Sequence, residues 1–362
     1  MTSVAAKQRS TKFLSAEISE KVAVAVKGKN VLVTGGTGSF GNSFIDALLR
    51  MYEPNKVIVF SRDELKQSLM KKKFKKYEQI RYLLGDVRDR TRLARAFRGV
   101  DIVIHAAALK QVPALEYNPT EAIKTNIMGA MNIIDACLDC GVSQLIALST
   151  DKAAAPINLY GATKLCSDKL FVAGNAIGGK ESTGFSVVRY GNVFGSRGSI
   201  VPVLHQLRPS GSIGLTDVRM TRFNISLDDA VNFVLSGIAI AQGGEIFIPK
   251  LPSYILPVMA EGVCPECEVK ILGRRPGEKL HELMVPADES YRTVDTGDRY
   301  VIEPEGEAAG KYTRQSTSKL VKEGFDYNSG DNTEWNTKEE IREQYVDWCK
   351  YYNYSSDAPK KE

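Results

Sequence analysis

The chain has 362 residues and a mass of 39.8 kDa, and its 43% hydrophobic and 25% charged residues are typical of a soluble globular protein. This composition excludes a disordered, collagen-like or disulfide-stapled chain, and no apolar run approaches the ~20 residues that a membrane-spanning helix needs, so we expect no membrane partner. Residues 1–29 carry +4 of the net charge of +5, which leaves the remainder near neutral and predicts no nucleic-acid partner.

The cysteines are sparse and follow no recognisable secretory peptide, which predicts reduced thiols and a cytoplasmic location. Cys137 and Cys140 fall in a predicted buried helix ending at Gly141, whereas Cys264 and Cys267 fall in a predicted loop. Two Cys-x-x-Cys pairs can build a zinc site, but a separation of more than 120 residues is far from zinc-ribbon spacing. Packed thiols are therefore favoured over a zinc site, and we predict no metal.

Residues 1–28 lack a sustained periodicity and are rich in Ser, Thr, Ala and Lys, which predicts a flexible tail or a short helix. Glu17 and Glu20 count against a transit peptide, since such peptides avoid acidic residues.

From residue 29 onward, short continuously apolar runs alternate with helical stretches. Strands buried on both faces have this pattern. The predicted strands are 30–36, 56–61, 80–86, 101–107, 143–150 and 185–191, and the predicted helices are 40–51, 63–76, 91–97, 119–140 and 160–174. This alternation predicts an α/β fold, a Rossmann-type doubly wound parallel sheet with right-handed crossovers.

After about residue 191 the alternation gives way to segments interrupted by Gly and Pro, with helices predicted at 228–242 and 337–351. The second of these opens on a capping box, Thr337 to Glu340. We predict a flexible tail over 1–28, an NADP-binding Rossmann domain over 29–190 with 226–250, a smaller substrate-binding lid domain over 191–225 and 251–352, and a tail over 353–362.

The glycine turn VTGGTGSFG, residues 33–41, follows the first strand and opens a helix. Gly35, Gly38 and Gly41 lack side chains, so the backbone and the helix N-terminus can approach a pyrophosphate. The flanking strand and helix, and a second strand ending about 20 residues later, favour a dinucleotide site over an ordinary tight turn.

The second strand ends in Ser61-Arg62, with Lys66 one turn further, where an NAD-specific site would have an acidic residue. A hydroxyl and two cations suit a 2′-phosphate, so we predict NADP, although Asp63 follows at once. We expect Asp86 and Val87 to contact the adenine. Ala106 to Ala108 leave room for cofactor near the nicotinamide, but helix–sheet packing explains these alanines equally well.

The chemistry follows the fifth strand, with Thr150-Asp151-Lys152 and then Tyr160 and Lys164. Tyr and Lys four residues apart share one helix face, and a nearby ammonium is expected to pull the pKa of Tyr160 below its reference value of ~10. Asp151 and Lys152 either form a buried salt bridge or serve as acid and base. We favour the second alternative because adjacent side chains in a turn are expected to diverge.

Several segments together resemble the extended short-chain dehydrogenase/reductases, and more narrowly the soluble UDP-N-acetylglucosamine 4,6-dehydratases that invert C5, of the pseudaminic acid pathway type. The resemblance spans about residues 29 to 350. The segments are TGGTGSFG, FSRDELK, GDVRD, HAAALKQVPALEYNP, STDKA, YGATK, VRYGNVFGSRGSIVP, TDVRMTRF and RRPGEKLHE. The decisive pair is Asp151-Lys152, because C5-retaining relatives carry Asp-Glu there.

The resemblance implies a mechanism. Tyr160, helped by Lys164 and Thr150, takes the C4 hydroxyl proton while C4 hydride passes to NADP+. Lys152 removes the C5 proton, and Asp151 protonates the departing C6 hydroxyl. Hydride then returns to C6, and protonation of the opposite face of C5 gives the inverted 4-keto-6-deoxy sugar. Burial is expected to favour neutral Lys152 and protonated Asp151.

The resemblance also implies binding residues and a homo-oligomer, either a dimer or a hexamer. The implied cofactor-binding residues are Gly35, Thr37, Gly38, Ser39, Phe40, Gly41, Ser61, Arg62, Asp63, Lys66, Asp86, Val87, Ala106, Lys110, Tyr160, Lys164 and Val193. The implied substrate-binding residues are Lys110, Asn192, Arg197, Gly198, Ser199, Ile200, Val201, Pro202, Thr216, Met220, Arg275 and Glu278.

Two alternatives stay open. A C5-retaining dehydratase or a nucleotide-sugar 4-epimerase would use the same fold, but Lys152 argues against the first, and an epimerase has no need of the Asp-Lys pair. A non-catalytic NADP(H)-binding sensor or scaffold would also use this fold, and the intact set of Thr150, Asp151, Lys152, Tyr160 and Lys164 argues against it.

Overall fold

The computed structural model describes residues 12–178, 183–306, 309–314 and 316–357. Its centre is a ten-stranded sheet within these ranges, in the order β16-β14-β15-β10-β6-β5-β4-β1-β2-β3. The strands are β1 (Asn30–Thr34), β2 (Lys56–Ser61), β3 (Ile80–Leu84), β4 (Ile102–His105), β5 (Gln144–Thr150), β6 (Gly184–Tyr190), β7 (Asn192–Val193), β8 (Ser212–Leu215), β9 (Thr221–Ile225), β10 (Ile246–Pro249), β11 (Ser253–Ile255), β12 (Glu268–Ile271), β13 (Leu283–Val285), β14 (Thr293–Asp295), β15 (Arg299–Ile302), β16 (Lys319–Leu320) and β17 (Tyr327–Asn328).

Strands β3, β2, β1, β4, β5, β6 and β10 run parallel. Their aliphatic side chains are buried on both faces, and Val33 of β1 pairs with Val59 on one side and Ile104 on the other. The chain reverses its direction of travel across the sheet between β1 and β4, which opens a crevice at the carboxyl ends of these strands. The predicted doubly wound α/β fold is confirmed.

Most of the predicted helices are present near their expected positions, whereas the helices at Val112–Tyr117, Ile200–Leu207 and Leu256–Val263 were not predicted. The described helices are α1 (Ala16–Val26), α2 (Ser39–Met51), α3 (Glu64–Lys73), α4 (Arg90–Ala96), α5 (Val112–Tyr117), α6 (Pro119–Ala122), α7 (Gly129–Cys140), α8 (Leu159–Ile177), α9 (Ile200–Leu207), α10 (Leu227–Ile240), α11 (Leu256–Val263) and α12 (Lys338–Tyr352). The predicted capping box opens α12, with the Thr337 hydroxyl and the Glu340 carboxylate each accepting the other's backbone N–H.

The predicted single helix over 119–140 is interrupted by a π-helical turn at Ile123–Met128 between α6 and α7. This turn carries buried Asn126, whose amide bonds both the N–H and the carbonyl of Leu109 at 2.9 Å and donates to Thr163 at 3.1 Å. Asn126 thus links the loop after β4 to α8. Turns of this π-helical kind are frequent at functional sites.

A second hydrophobic cluster lies apart from the main core and joins α9, β8, α11 and α12. Val201, Met220 and Tyr345 are fully buried in it. The predicted lid range 251–352 is wrong in one part, because β14, β15 and β16 extend the main sheet instead. The antiparallel pairing of β15 with β10 covers what would otherwise be an open edge of the parallel sheet. The remaining domain division stays a prediction.

Of the two alternatives predicted for residues 1–28, the short helix is found over Ala16–Val26, and this helix, α1, packs against α10. Val22 and Val26 are fully buried, and the ring of Phe13 meets Phe233 edge-on at 4.9 Å. These apolar residues explain why the segment folds, since an amphipathic stretch gains stability by covering apolar surface. Residues 1–11, and residues 358–362 of the second predicted tail, lie outside the described ranges.

The two Cys-x-x-Cys pairs lie on different elements, one in α7 and the other where α11 ends. Within the described ranges the cysteines are free thiols, and no group of three or more His, Cys, Asp or Glu side chains is placed to hold a metal ion. None of the described helices is long and apolar enough to cross a membrane.

Candidate active site

A cavity of about 740 Å³ lies at the carboxyl ends of the parallel strands, and its lining includes the loop at 196–199 and residues 275–278 and 282. Cavities of this size are typical of ligand sites. The cavity brings together most of the predicted residues, namely Gly35, Thr37, Gly38, Ser39, Phe40, Gly41, Ser61, Arg62, Asp63, Lys66, Asp86, Val87, Ala106, Lys110, Thr150, Lys152, Tyr160, Lys164, Asn192, Val193, Arg197, Gly198, Ser199, Arg275 and Glu278.

The glycine turn between β1 and α2 forms one end of the cavity. Gly35 has φ +64° and lies so close to the loop after β4 that a Cβ would come within 2.9 Å of Ala106 backbone atoms. A side chain there would close the gap between the two loops. The space left by the missing side chains and the free N-terminus of α2 fit the pyrophosphate of a dinucleotide.

The end of β2 supplies the predicted phosphate-binding group. The Ser61 hydroxyl accepts from Thr37 at 3.2 Å, and both cations are about half exposed at the cavity rim. Arg62 pairs with Asp86 at 3.4 Å and Lys66 with Asp63 at 2.6 Å. The Asp63 carboxylate accepts the backbone N–H of Lys66 and so caps the N-terminus of α3.

Residues 151–153, named here the catalytic turn after the role predicted for them, continue directly from β5 as a short 3₁₀ helix and pack under the first turn of α8. Gly161 makes this packing possible, since a Cβ would lie 2.1 Å from the carbonyl oxygen of Lys152. The close approach brings Tyr160 and Lys164 to the same cavity wall as Lys152.

Burial raises the pKa of Tyr160 to about 12, against the lowering effects of the Lys152 charge and a hydrogen bond with Thr150. The prediction of a Tyr160 pKa below 10 is therefore wrong, because loss of solvation outweighs the charge of Lys152 and the hydrogen bond with Thr150. Burial also lowers the pKa of Lys164, although the charge of Asp168 opposes this effect.

Asp151 and Lys152 do not diverge as predicted. The Lys152 Nζ lies 3.1 Å from Asp151 Oδ1, and Asp151 is fully buried behind it and does not line the cavity. The two side chains converge because a buried carboxylate requires a counter-charge, and the amine beside it supplies one. Asp151 Oδ1 also accepts from the Thr150 hydroxyl at 2.9 Å.

The expectation that burial favours protonated Asp151 and neutral Lys152 agrees with the direction of the Asp151 pKa shift but not with that of Lys152. Burial raises the pKa of Asp151 in spite of the Lys152 charge. Burial alone would lower the pKa of Lys152, but the charges of Asp151 and Glu282 outweigh it and raise that pKa. With its pKa raised by these two carboxylates, Lys152 is an ammonium in this arrangement.

Two buried residues that the sequence did not single out complete this group. Glu282 lies 3.1 Å from the Lys152 Nζ, and Arg222 lies 3.6 Å from the same Glu282 oxygen. Both line the cavity. Their segments, TDVRMTRF and RRPGEKLHE, were part of the resemblance, but nothing in the local pattern indicates that they meet a turn far earlier in the chain.

The predicted substrate residues divide into two groups. Lys110, Asn192, Arg197, Gly198, Ser199, Arg275 and Glu278 line the cavity, whereas Ile200, Val201, Pro202, Thr216 and Met220 do not. Val201 and Met220 are buried in the second cluster, and the Thr216 hydroxyl donates to the Met220 sulfur. Val201 and Met220 thus contribute to the packing of the second cluster, and a role of these five residues in substrate binding stays a prediction.

A model of the family described as "Polysaccharide biosynthesis protein" matches residues 31–304. The chain belongs to this family. A relative from Campylobacter jejuni subsp. jejuni serotype O:23/36 (strain 81-176), named UDP-N-acetylglucosamine 4,6-dehydratase (inverting), is 53% identical over 87% of this chain and 96% of its own length.

Two further matches are less similar to this chain. The UDP-glucose 4-epimerase of Rickettsia bellii (strain RML369-C) is 39% identical over 77% of this chain and 84% of its own. The X-ray structure of Pen from Bacillus thuringiensis superposes with a TM-score of 0.81 at 36% identity, covering 89% of this chain and 98% of that one.

Proposed function

We propose that this protein is an NADP-dependent hydro-lyase that converts UDP-N-acetylglucosamine, with inversion at C5, into UDP-2-acetamido-2,6-dideoxy-β-L-arabino-hex-4-ulose. The observation that carries the proposal is the amine of Lys152 on the wall that also holds Tyr160 and Lys164, in a chain 53% identical to a dehydratase of that name. A cytoplasmic location and a homo-oligomeric state remain predictions.

The cofactor proposal is supported by the fit of the glycine turn and by Ser61, Arg62 and Lys66 at the rim. A hydroxyl and two cations suit a phosphate on the adenosine ribose, and charge-assisted hydrogen bonds to phosphate are strong. When bound, oxidised NADP would accept hydride from C4 and return it to C6, and its positively charged ring would favour the Tyr160 phenolate.

The chain's own residues carry the proton transfers. Tyr160 takes the C4 hydroxyl proton, and the ketone formed at C4 acidifies C5. Lys152 removes the C5 proton after passing its own extra proton to Asp151, whose raised pKa makes it an acceptor. Since Asp151 lies behind Lys152, it acts through the amine: its proton reaches the departing C6 hydroxyl by way of the Lys152 Nζ, 3.1 Å away.

Incubation with UDP-N-acetylglucosamine in deuterated water tests this function. We expect a 4-keto-6-deoxy product of L-arabino configuration with deuterium at C5, and no net change at the NADPH absorbance band. Replacing Lys152 by Met should abolish solvent exchange at C5. A D-xylo product, or full exchange in Lys152→Met, would contradict the role of Lys152.

The second candidate is 4-epimerisation, favoured by the 39% identity to an enzyme named UDP-glucose 4-epimerase. It predicts a product that keeps its C6 hydroxyl and carries no deuterium at C5. Bound cofactor without turnover of either kind would instead favour the sensor or scaffold.

A further inference from the structure

Glu282 is fixed at the cavity wall by a segment far from the catalytic turn in sequence. It lies directly before β13, where its N–H donates to the Ser329 hydroxyl at 2.9 Å and its carbonyl accepts from the Ser329 N–H at 2.8 Å. The residue is 2% exposed, and its Oε2 is buried without a hydrogen-bond partner. A carboxylate held this firmly in the interior requires a cationic neighbour.

That neighbour is Lys152. Its Nζ lies 3.1 Å from Asp151 Oδ1, 3.1 Å from Glu282 Oε1 and 3.5 Å from Asn192 Oδ1. An ammonium has three N–H donors, and these three acceptors can satisfy all of them. After one proton has passed to Asp151, the neutral amine still has an N–H to donate to Glu282, so the contact survives the transfer.

Charged groups from several elements surround Glu282. Arg222 of β9 lies 3.6 Å from Oε1, Lys152 and Asp151 face it from the catalytic turn, and Lys279 reaches over from its own segment to bond the Ala154 carbonyl at 2.6 Å. Burial alone would raise the pKa of Glu282, but the charges of Lys152 and Arg222 outweigh it and lower that pKa. Glu282 therefore stays an anion beside the amine.

We propose that Glu282 is the positioning residue for Lys152, holding the amine at the cavity wall and setting the pH range in which it is free to act as the base. The proposal rests on the proposed function, in which Lys152 takes the C5 proton. Asp151 exchanges a proton with Lys152, whereas Glu282 keeps its negative charge throughout and returns no proton to the sugar.

The test is the pH dependence of Glu282→Gln, in which the shape is kept and the charge is lost. The active pair holds one proton, as neutral Lys152 beside protonated Asp151, so the rate falls with rising pH once the pair loses that proton. Losing a nearby anion makes the proton easier to lose, so this alkaline limb of kcat/KM should move to lower pH, by about 1 to 3 pH units. The conservative Glu282→Asp should keep the native pH limb while lowering kcat.

Arg222→Gln provides a matched variant of opposite sign. Removing that cation leaves Glu282 free to attract the Lys152 proton more strongly, so the limb should move to higher pH. Glu289→Gln, which removes a carboxylate paired with Arg189 and Arg292, controls for the loss of an interior charge elsewhere and should leave the limb in place. If Glu282→Gln does not fold, the direction in which the pH limb of kcat/KM moves in Arg222→Gln still tests the proposal.

A second measurement separates this proposal from the proposed function. The Lys152 amine can be titrated by NMR in protein labelled with ¹³C-lysine, the signal being assigned by its loss in Lys152→Met. If the native protein makes no product, the proposed function fails, and this titration alone judges Glu282. A Lys152 titration and a pH limb that are both unchanged in Glu282→Gln would overturn the proposal.

Discussion

At the scale of single residues, the site is dominated by interior charge. Asp151, Lys152, Glu282 and Arg222 form a compact set of two anions and two cations beside the cavity. Burying a charge is costly unless it is paired, so none of the four is replaceable without consequences for the others. The sequence singled out Asp151 and Lys152 and offered a salt bridge between them as the less favoured alternative. It could not decide for that contact, because the direction of a side chain depends on burial and on partners distant in the chain.

Tyr160 offers a direct test of how ligand binding activates the site. Its pKa is raised to about 12 by burial, so the absorbance difference between native protein and Tyr160→Phe should show no phenolate below about pH 10. Saturating NADP+ should move this titration to lower pH, because a nearby positive charge favours the phenolate. A titration that NADP+ leaves in place would show that the charge of the cofactor does not reach Tyr160.

Arg62 decides between the two nicotinamide cofactors in our proposal. Arg62→Ala should weaken NADP+ binding by about 10- to 100-fold, since a hydrogen bond to a charged group contributes about 1.5–3 kcal/mol, and should leave NAD+ binding nearly unchanged. Titration calorimetry with both dinucleotides measures the ratio. Equal losses for NADP+ and NAD+ would remove Arg62 from the recognition of the 2′-phosphate.

At the scale of elements, the sequence predicted the sheet well because buried parallel strands have a simple signature. The apolar runs ending at Thr34, Ser61 and Thr150 all form strands within one or two residues of the expected bounds. The π-helical turn at Ile123–Met128 was missed because its cause, the reach of Asn126 to Leu109 and Thr163, is a tertiary contact.

Gly161 lets α8 approach the catalytic turn, and its replacement should separate them. In Gly161→Ala the new methyl group would overlap the Lys152 carbonyl, so we expect a loss of about 1–3 kcal/mol in the free energy of unfolding, together with a fall in kcat as Tyr160 is displaced. Urea unfolding and steady-state kinetics measure the two effects.

Gly237→Ala in α10 is the matched control. A Cβ there would find its nearest neighbour at 3.7 Å, so this variant should be neutral or stabilised by up to about 1 kcal/mol. Equal behaviour of the two alanine variants would contradict the close-approach explanation for Gly161.

At the scale of the whole molecule, the site joins segments that lie far apart in the chain. The segment at 277–279 is fastened to the loop after the catalytic turn, where Asn158 donates to the Gly277 carbonyl at 2.8 Å. Glu282 and Arg222 come from this later part of the chain and could not be placed by sequence reasoning. A local pattern predicts which residues share an element, whereas contacts between residues more than a hundred positions apart depend on the completed fold.

The C-terminal helix also reaches the cofactor end of the cavity. Trp348 of α12 donates to the Gly195 carbonyl at 2.9 Å, and the Arg197 N–H two residues later donates to Ser39 at 3.3 Å in the glycine turn. Trp348→Phe removes one donor, so NADP+ binding should weaken by about 2- to 10-fold, as expected for one hydrogen bond.

Tyr351→Phe serves as the control for this prediction, because Tyr351 is an exposed residue on the same helix and its replacement should leave NADP+ affinity unchanged. Calorimetry on the native protein and both variants provides the comparison. An unaltered affinity in Trp348→Phe would show that α12 does not support the cofactor end.

The packing of α1 has a practical consequence for work with this protein. A shortened version beginning at Lys29, where the first strand is about to start, would strip Val22, Val26 and Phe13 from the outer surface of α10. The hydrophobic patch exposed there would favour aggregation and a poor yield. A purification tag is therefore better attached upstream of α1 than directly before β1.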